Sequence, residues 1–485
     1  MTIKDLEPKE LWSNFDALTK CPRPSKHEEI VRDFLVKWAK KNKIACRVDK
    51  VGNIILSKPA TKGMEKVHPV VLQAHMDMVP QARAGKKHDF LKDPIKTKIV
   101  GEWVYADDTT LGADDGLGVA AIMAVFASKT AKHGPLEALI TTDEETGMTG
   151  AFGLKKGELH GDYLLNLDSE TEGELYVGCA GGIDASMSIP YATEQAPKNM
   201  VAYKVTFGGL KGGHSGMEIN SGRANVNKLM FRHLRWVAEC GLRLISVNGG
   251  NMRNAIPRDA EAVIAFPKEH TDCILKELDK VAGWVKKELG AVEPDFFMKY
   301  EKVRMTPKVI TDADTQKIIN MMMVAPNGVI RMSKDMEGLV ETSLNLAIVK
   351  TTGKAFTVQA LLRSSVDTAK EALAERLVCL AELCGGTCRL SGAYPGWKPN
   401  MESTLLKTMK QVYKKKFKKE PAVVAIHAGL ECGLLGGKYP DMEMISFGPT
   451  LQSPHSPDER ANIPSSKKFY DYLLATLEAI PVKKK

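Results

Sequence analysis

Residues 70–81 read VVLQAHMDMVPQ, an apolar run that ends in a histidine and an aspartate one residue apart, held between methionines. Val70, Val71 and Leu72 call for burial, whereas His75 and Asp77 need partners if they follow the strand inside. In an extended chain residues i and i+2 point the same way, so His75 and Asp77 face one spot together. A lone H-x-D is also what a strand running out into a solvated turn looks like. The neighbouring segments have to decide.

Those segments alternate. Two helical patterns over 8–42 are broken by CPRPS (21–25) and followed by the strand-like ACRVDK (45–50) and NIILSK (53–58). Beyond the opening run, DDGLGVAAIMAVFASK (114–129) begins with acidic residues suited to a helix N-terminus and continues as an apolar helix. LEALITT (136–142), a short helical GAFGLKKG (150–157) and DYLLNLD (162–168) extend the series. Strands alternating with helices predict an α/β fold, a mixed sheet flanked by helices.

After 190 the character changes. AYKVTFGGLKGGHSG (202–216) and AEAVIAFP (260–267) read as strands around the amphipathic NVNKLMFRHLRWVAECG (225–241). A similar order recurs through CILKELDKVAGWVKKEL (273–289), SLNLAIVK (343–350), AFTVQALLRS (355–364) and KEALAERLVCLAELCGG (370–386). The pattern predicts an inserted α+β domain of two similar halves, with the turn-rich GAYPGWKPN (392–400) as the return. The expected organisation is 1–190 as the first part of the main domain, 191–393 as the insertion, and 394–485 as the second part. In that last part AVVAIHAG (422–429) and MEMISFGPT (442–450) restore buried-strand patterns.

Composition sets limits. A chain of 485 residues exceeds what one core normally serves, and 44% hydrophobic with 26% charged residues is ordinary for a soluble globular protein. The start, MTIKDLEPKELW, is charged where a signal peptide needs an apolar stretch, and no run approaches the roughly 18 apolar residues of a membrane span. Secretion by that route and a membrane partner are therefore not expected. Nine scattered cysteines lack the density of a disulfide scaffold and predict a reducing, cytoplasmic setting. The formal charge of +9 concentrates in YKKKFKKE (413–420) and the terminal KKK. Without interleaved exposed aromatics or a recognisable module, these read as a solvated helix face and a frayed tail, and no nucleic-acid partner is expected.

The polar residues gather where the strands end. VVLQA is followed by His75 and Asp77, LEALITT by Asp143, Glu144 and Glu145, YLLNL by Asp168, and MEMISFGPT shortly by His455. In open α/β sheets ligands bind beyond the carboxyl ends of the strands, so these residues share one rim, with Asp114 and Asp115 at the same level. Packed carboxylates repel one another unless a cation neutralises them. Two imidazoles with three or more carboxylates suit zinc, cobalt or manganese better than magnesium. Two such ions need a shared carboxylate. On spacing alone two features stay open. GGLKGGHSG (208–216) nearly matches a phosphate-binding loop but carries His214 where lysine belongs, and His214 is equally a buried structural histidine. Arg363, in LLRSS, is equally a surface strand residue.

Through VVLQAHMDMVPQ, TTLGADDGLG, EETGMTGAFGL, LLNLDSE, CAGGID, GLKGGHSG, RNAIPR, PNGVIR, GAYPGW, IHAGLECG and GPTLQSPHSPDE, spread over essentially the whole chain, the sequence resembles the Xaa-His dipeptidase branch of the di-zinc peptidase family that includes carnosinases and aminoacylase. Gly116 stands where relatives outside that branch often carry lysine. The resemblance implies a zinc-peptidase-like catalytic domain with the insertion as a lid, two divalent metal ions (zinc foremost, cobalt or manganese as substitutes), and dipeptides with free amino and carboxyl ends as substrates. It implies that His75 and Asp168 hold one ion, Glu145 and His455 the other, and that Asp114 bridges, joined to Asp115 by a cis peptide. Asp77 would orient the ring of His75, and Glu144 would be the general base. From the insertion, His214 would steady the oxyanion, Asn254 and Arg363 would hold the substrate carboxylate, and Gly429 would let the substrate backbone approach. Hinges are expected near 190 and 393. The long insertion is expected to supply His214 within one chain, where smaller-lid relatives borrow it from a partner subunit, and a homodimer stays open. The rival readings are an N-acyl-amino-acid deacylase or a carboxypeptidase on the same two-metal site, a catalytically silent binding protein, and a nucleic-acid-binding protein.

Overall fold

Val70–His75 forms a strand in which all 6 residues are buried. It pairs in parallel with Leu136–Thr141 on one side and with Tyr163–Asn166 on the other. Burial on both faces explains why the run is continuously apolar. The connection from this strand leads to Leu136–Thr141 on one side, whereas that from Tyr163–Asn166 leads to Glu174–Cys179 on the other, so a topological switch point lies between the carboxyl ends of Val70–His75 and Tyr163–Asn166. The full 8-stranded sheet runs Ala45–Val48, Ile54–Lys58, Leu136–Thr141, Val70–His75, Tyr163–Asn166, Glu443–Ser446, Glu174–Cys179, Ala422–Ile426. It is mixed, because Ile54–Lys58 and Glu174–Cys179 pair antiparallel to their neighbours.

The computed structural model describes residues 2–483. It divides into two units: Met1–Gly178 with Pro399–Ala425 and Leu430–Lys485, and Cys179–Lys398 with Ile426–Gly429. In the first unit every residue from Ala113 to Phe126 of the helix Ala113–Ala127 is buried, as expected of a helix apolar all round. The helix Lys9–Leu18 buries Leu11, Trp12, Phe15 and Leu18 along one face. A small 4-stranded sheet, Leu451–Gln452, Arg460–Asn462, Trp103–Ala106 and Thr97–Val100, carries the 453–459 connection that contains His455.

The second unit is built on a 9-stranded sheet in which every pairing is antiparallel. The helices Val226–Val237, Thr271–Leu289, Asp312–Val324 and Asp367–Leu383 bury their apolar faces in its core, around Phe231, Leu278, Ile319 and Leu377. The two halves read from the sequence merge into one sheet, joined where Arg243–Gly249 pairs with Val340–Thr351.

Three expectations need correction. The boundaries at 190 and 393 cut the second unit's sheet too short: Gly181–Pro190 pairs along its length with Ala355–Ser364 and also with Thr387–Tyr394, so the units divide at 178/179 and 398/399. Ala422–Ile426 is not a buried strand, because it is the outermost strand of its sheet and only partly covered. The carboxyl-terminal tail is tied down as far as Lys483, whose ammonium lies 2.9 Å from Asp162 and whose N–H donates to the Lys66 carbonyl at 2.8 Å. Lys484 and Lys485 of the terminal run lie outside the described residues. Lys414, Lys415 and Lys416 are exposed on the helix Thr404–Phe417, a solvated face. Cys21, Cys46, Cys240, Cys273, Cys379, Cys384 and Cys388 are free, and among the described residues no helix is long and apolar enough to cross a membrane.

Candidate metal centre

Five predicted ligands of the first unit meet at the rim of the sheet. His75 ends its strand, Glu145 follows Leu136–Thr141, Asp168 follows Tyr163–Asn166, Asp114 opens the buried helix, and His455 comes from the 453–459 connection. His75 Nε2 lies 3.1 Å from Asp114 Oδ1 and 3.1 Å from Asp168 Oδ1. His455 Nε2 lies 3.1 Å from Asp114 Oδ2 and 2.9 Å from Glu145 Oε2. Each oxygen of Asp114 thus faces a different histidine, one set with Asp168 and the other with Glu145. Asp115, joined to Asp114 by a cis peptide, turns to the backbone instead: its oxygens accept the His75 N–H at 3.2 Å and the Gly118 N–H at 3.0 Å.

Asp77 is fully buried and organises the loop opposite. Its Oδ1 sits 3.4 Å from His75 Nδ1 and accepts the Glu144 N–H at 3.0 Å. Its Oδ2 accepts the Glu145 N–H at 3.2 Å and the Ser25 hydroxyl at 2.7 Å. Glu144 takes no part in the histidine–carboxylate pairs.

The electrostatics call for positive charge. Burial drives the Asp168 carboxyl up to about 7 and that of Glu431, under the rim, up to about 8. Burial also raises Glu144 and Asp115 well above the carboxylate range, reinforced by repulsion from Asp168. Burial would raise Asp114 too, but hydrogen bonds from His455 and His75 overrule it and hold the carboxyl low. Those to Asp114 and Glu145 push His455 up to about 11. Protons on the imidazoles therefore stand where cations would serve.

The donor set fits divalent ions. A tetrahedral zinc with bonds of about 2 Å separates its ligands by about 3.3 Å, close to the 2.9 and 3.1 Å spacings found here. The buried Glu145 Oε1 has no hydrogen-bond partner, an orphaned oxygen that a cation would satisfy.

The second unit holds its own group of predicted residues. His214 pairs with Ala255 in a short two-stranded ladder, and Ser215 N–H donates to the carbonyl of Asn254 at 2.8 Å. His214 Nδ1 accepts the N–H groups of Gly216 and Met217 at 3.2 and 3.0 Å, which puts the ring proton on Nε2. Burial, then the Arg363 charge, lowers this imidazole and keeps it neutral. Arg363 is 5% exposed and so not a surface residue; its Nη1 donates to the Tyr394 hydroxyl at 3.2 Å, and its Nε has no partner. A Cβ at Gly429 would stand 3.2 Å from the ring of Tyr394. Asn254 itself is exposed. Tyr394 and His427, whose Nε2 lies 2.7 Å from Ser343 Oγ, escaped the sequence reading although both sit in quoted motifs, GAYPGW and IHAGLECG. Glu431, Arg23 and Glu459 of the first unit were missed as well. Nothing local marks a single charged residue as one that will be buried.

The chain is similar to known peptidases. The model of peptidase family M20/M25/M40 matches residues 71–479. The cytosol non-specific dipeptidase of Escherichia coli is 44% identical over 482 residues, covering 99% of this chain and 99% of that protein. The crystal structure of aminoacylhistidine dipeptidase from Vibrio alginolyticus superposes with a TM-score of 0.96 at 47% identity, over 100% of this chain and 99% of that one. Aminopeptidase PepT from Bacillus cereus shares the fold at a TM-score of 0.57 and 16% identity, over 98% and 99% of the two chains. A family model spanning most of the chain and full-length likeness to two dipeptidases leave one assignment: the chain belongs to peptidase family M20/M25/M40.

Proposed function

We propose that the chain is a two-metal dipeptidase that cleaves the peptide bond of dipeptides with free amino and carboxyl ends, Xaa-His among them. The observation that carries this reading is Asp114, whose two oxygens each face one histidine of a separate ligand set. His75 and Asp168 would hold one ion and His455 and Glu145 the other, with Asp114 shared. Zinc is the ion best suited to this mixed nitrogen and oxygen set. Bound there, the ions would polarise the scissile carbonyl and bring the pKa of the attacking water toward neutrality.

The chain's own residues do the rest. Glu144, free of the ligand pairs, takes the proton of the attacking water and delivers it to the leaving amine. Asp77 holds the ring of His75 and, through the two N–H groups it accepts, the backbone that presents Glu144. His214 offers Nε2–H to the developing oxyanion, a role that needs the neutral tautomer its Nδ1 contacts enforce. Arg363, with Asn254, holds the carboxylate of the substrate; its unpartnered Nε is a donor suited to that anion. Gly429 leaves room for the substrate backbone. The second unit in this reading is a lid. The cytosolic relative supports action in the cytoplasm.

The test is to strip divalent ions with a chelator, restore zinc, cobalt or manganese, and follow hydrolysis of β-alanyl-histidine and other dipeptides beside an N-acetyl amino acid. Metal-dependent dipeptide cleavage at two ions per chain is expected. Faster turnover of the N-acetyl substrate would overturn the dipeptide assignment in favour of a deacylase.

A further inference from the structure

Arg23 and Glu459 are charged side chains that the mechanism leaves unused, and both are buried at 2% exposure. A buried charge is costly unless paired and hydrogen-bonded, and an apolar pair of similar volume would serve packing as well. What these two side chains touch is the backbone of the ligand loops. Glu459 Oε2 accepts the N–H groups of Leu111 and Gly112 at 2.7 and 2.9 Å, and its Oε1 accepts those of Ala113 and Asp114 at 2.7 and 3.4 Å. Arg23 Nη1 donates to the carbonyls of Met76 and Asp77 at 2.9 and 2.8 Å, and its Nη2 donates to the carbonyl of Gly112. Gly112 is therefore gripped at both ends, its N–H by Glu459 and its carbonyl by Arg23.

Two glycines keep the space this grip requires. A Cβ at Gly112 would lie 2.6 Å from Arg23 Nη2 and 2.8 Å from Met78 Sδ. A Cβ at Gly116 would lie 2.6 Å from the same Nη2 and 2.9 Å from the ring of Phe15. Any side chain at 116 would evict the guanidinium. Because Glu459 shares the 453–459 connection with His455, the pair also reaches a third ligand segment.

We propose that Arg23 and Glu459 form a buried positioning pair that fixes Asp114 relative to His75, Asp77 and His455, so that disturbing either side chain weakens both metal ions together. The proposal rests on the two-ion reading above. It differs from a ligand substitution such as one at His455, which would weaken one ion selectively.

The test titrates metal-free full-length protein with Zn²⁺ against a competing chelator, for Arg23→Lys, Glu459→Gln, the double variant and Gly116→Ala. Affinity for both ions is expected to fall about 10–100-fold, the range typical of groups that orient ligands, with two ions still bound per chain at saturation. The double variant is expected to lose less than the product of the single losses, because both side chains act on the same loop. Gly116→Ala keeps both charges and decides the matter if the charge variants do not fold. Folded variants with unchanged affinities, or weakening of one ion alone, overturn the proposal. So does failure of every variant to fold without metal, since a brace confined to the ligand loops leaves the metal-free fold standing. Native protein that binds no zinc would instead sink the two-ion reading itself.

Discussion

Replacing Glu144 by glutamine separates the two adjacent glutamates by function. The substitution conserves shape and removes only the ability to accept a proton. The backbone at 144 and 145 is held by Asp77 through N–H contacts of 3.0 and 3.2 Å, which do not involve the Glu144 side chain. The ligand pairs, at 2.9 and 3.1 Å, do not involve it either. Metal content should therefore stay at the native level. Turnover should fall by about 10²–10⁴, the usual contribution of a general base, equal to about 2.7–5.5 kcal/mol of barrier. Glu145→Gln should behave in the opposite sense, losing one ion because its Oε2 lies 2.9 Å from His455 Nε2. The assay pairs kcat for β-alanyl-histidine at saturating zinc with elemental analysis of the dialysed protein. A Glu144→Gln enzyme that retains kcat within about threefold, or that loses its metal, would refute the division of labour.

Three further outcomes follow from the second unit. His214→Ala should lower kcat by about 10²–10³ with a smaller change in KM, as for loss of one oxyanion donor; unchanged kcat in steady-state assays would rule the role out. Arg363→Lys loses the planar fork and should raise KM for free-carboxyl dipeptides by about tenfold or more, while hydrolysis of the matching C-terminal amide changes little; equal effects on both substrates would point to misfolding. His233 is fully buried and burial pushes it down to about 4, against about 6.5 when unfolded. The unfolded chain then binds a proton that the folded chain refuses, so stability is complete above about 6.5 and falls as pH drops toward 4, by about 1.4 kcal/mol per pH unit. His233→Phe should remove that share of the slope in urea unfolding between pH 4.5 and 7, leaving the like-signed share of His427, which burial pushes down to about 3. An unaltered slope would show that His233 is not the group refusing the proton.

Much of the site was legible because its ligands sit where local patterns change. His75, Glu145 and Asp168 each follow an apolar run within a few residues, and the end of a strand can be read from a handful of neighbours. His455 was legible only through its place after the last strand pattern. The choice between Asp114 and Asp115 was not legible in spacing, because two consecutive carboxylates carry the same chemistry. The backbone at that point sends Asp114 toward the two imidazoles and turns Asp115 to the backbone N–H groups of His75 and Gly118.

By itself the sequence determined the alternation of strands and helices, the burial of Val70–His75, and the gathering of carboxylates and imidazoles at one rim. These depend on periodicity and polarity, which act between near neighbours. Only the tertiary structure decided that Gly181–Pro190 belongs to the second unit's sheet, that Arg363 is buried, and that Arg23 and Glu459 meet around Gly112. Those outcomes depend on partners far away along the chain, and a contact between distant segments leaves no periodic trace in either of them.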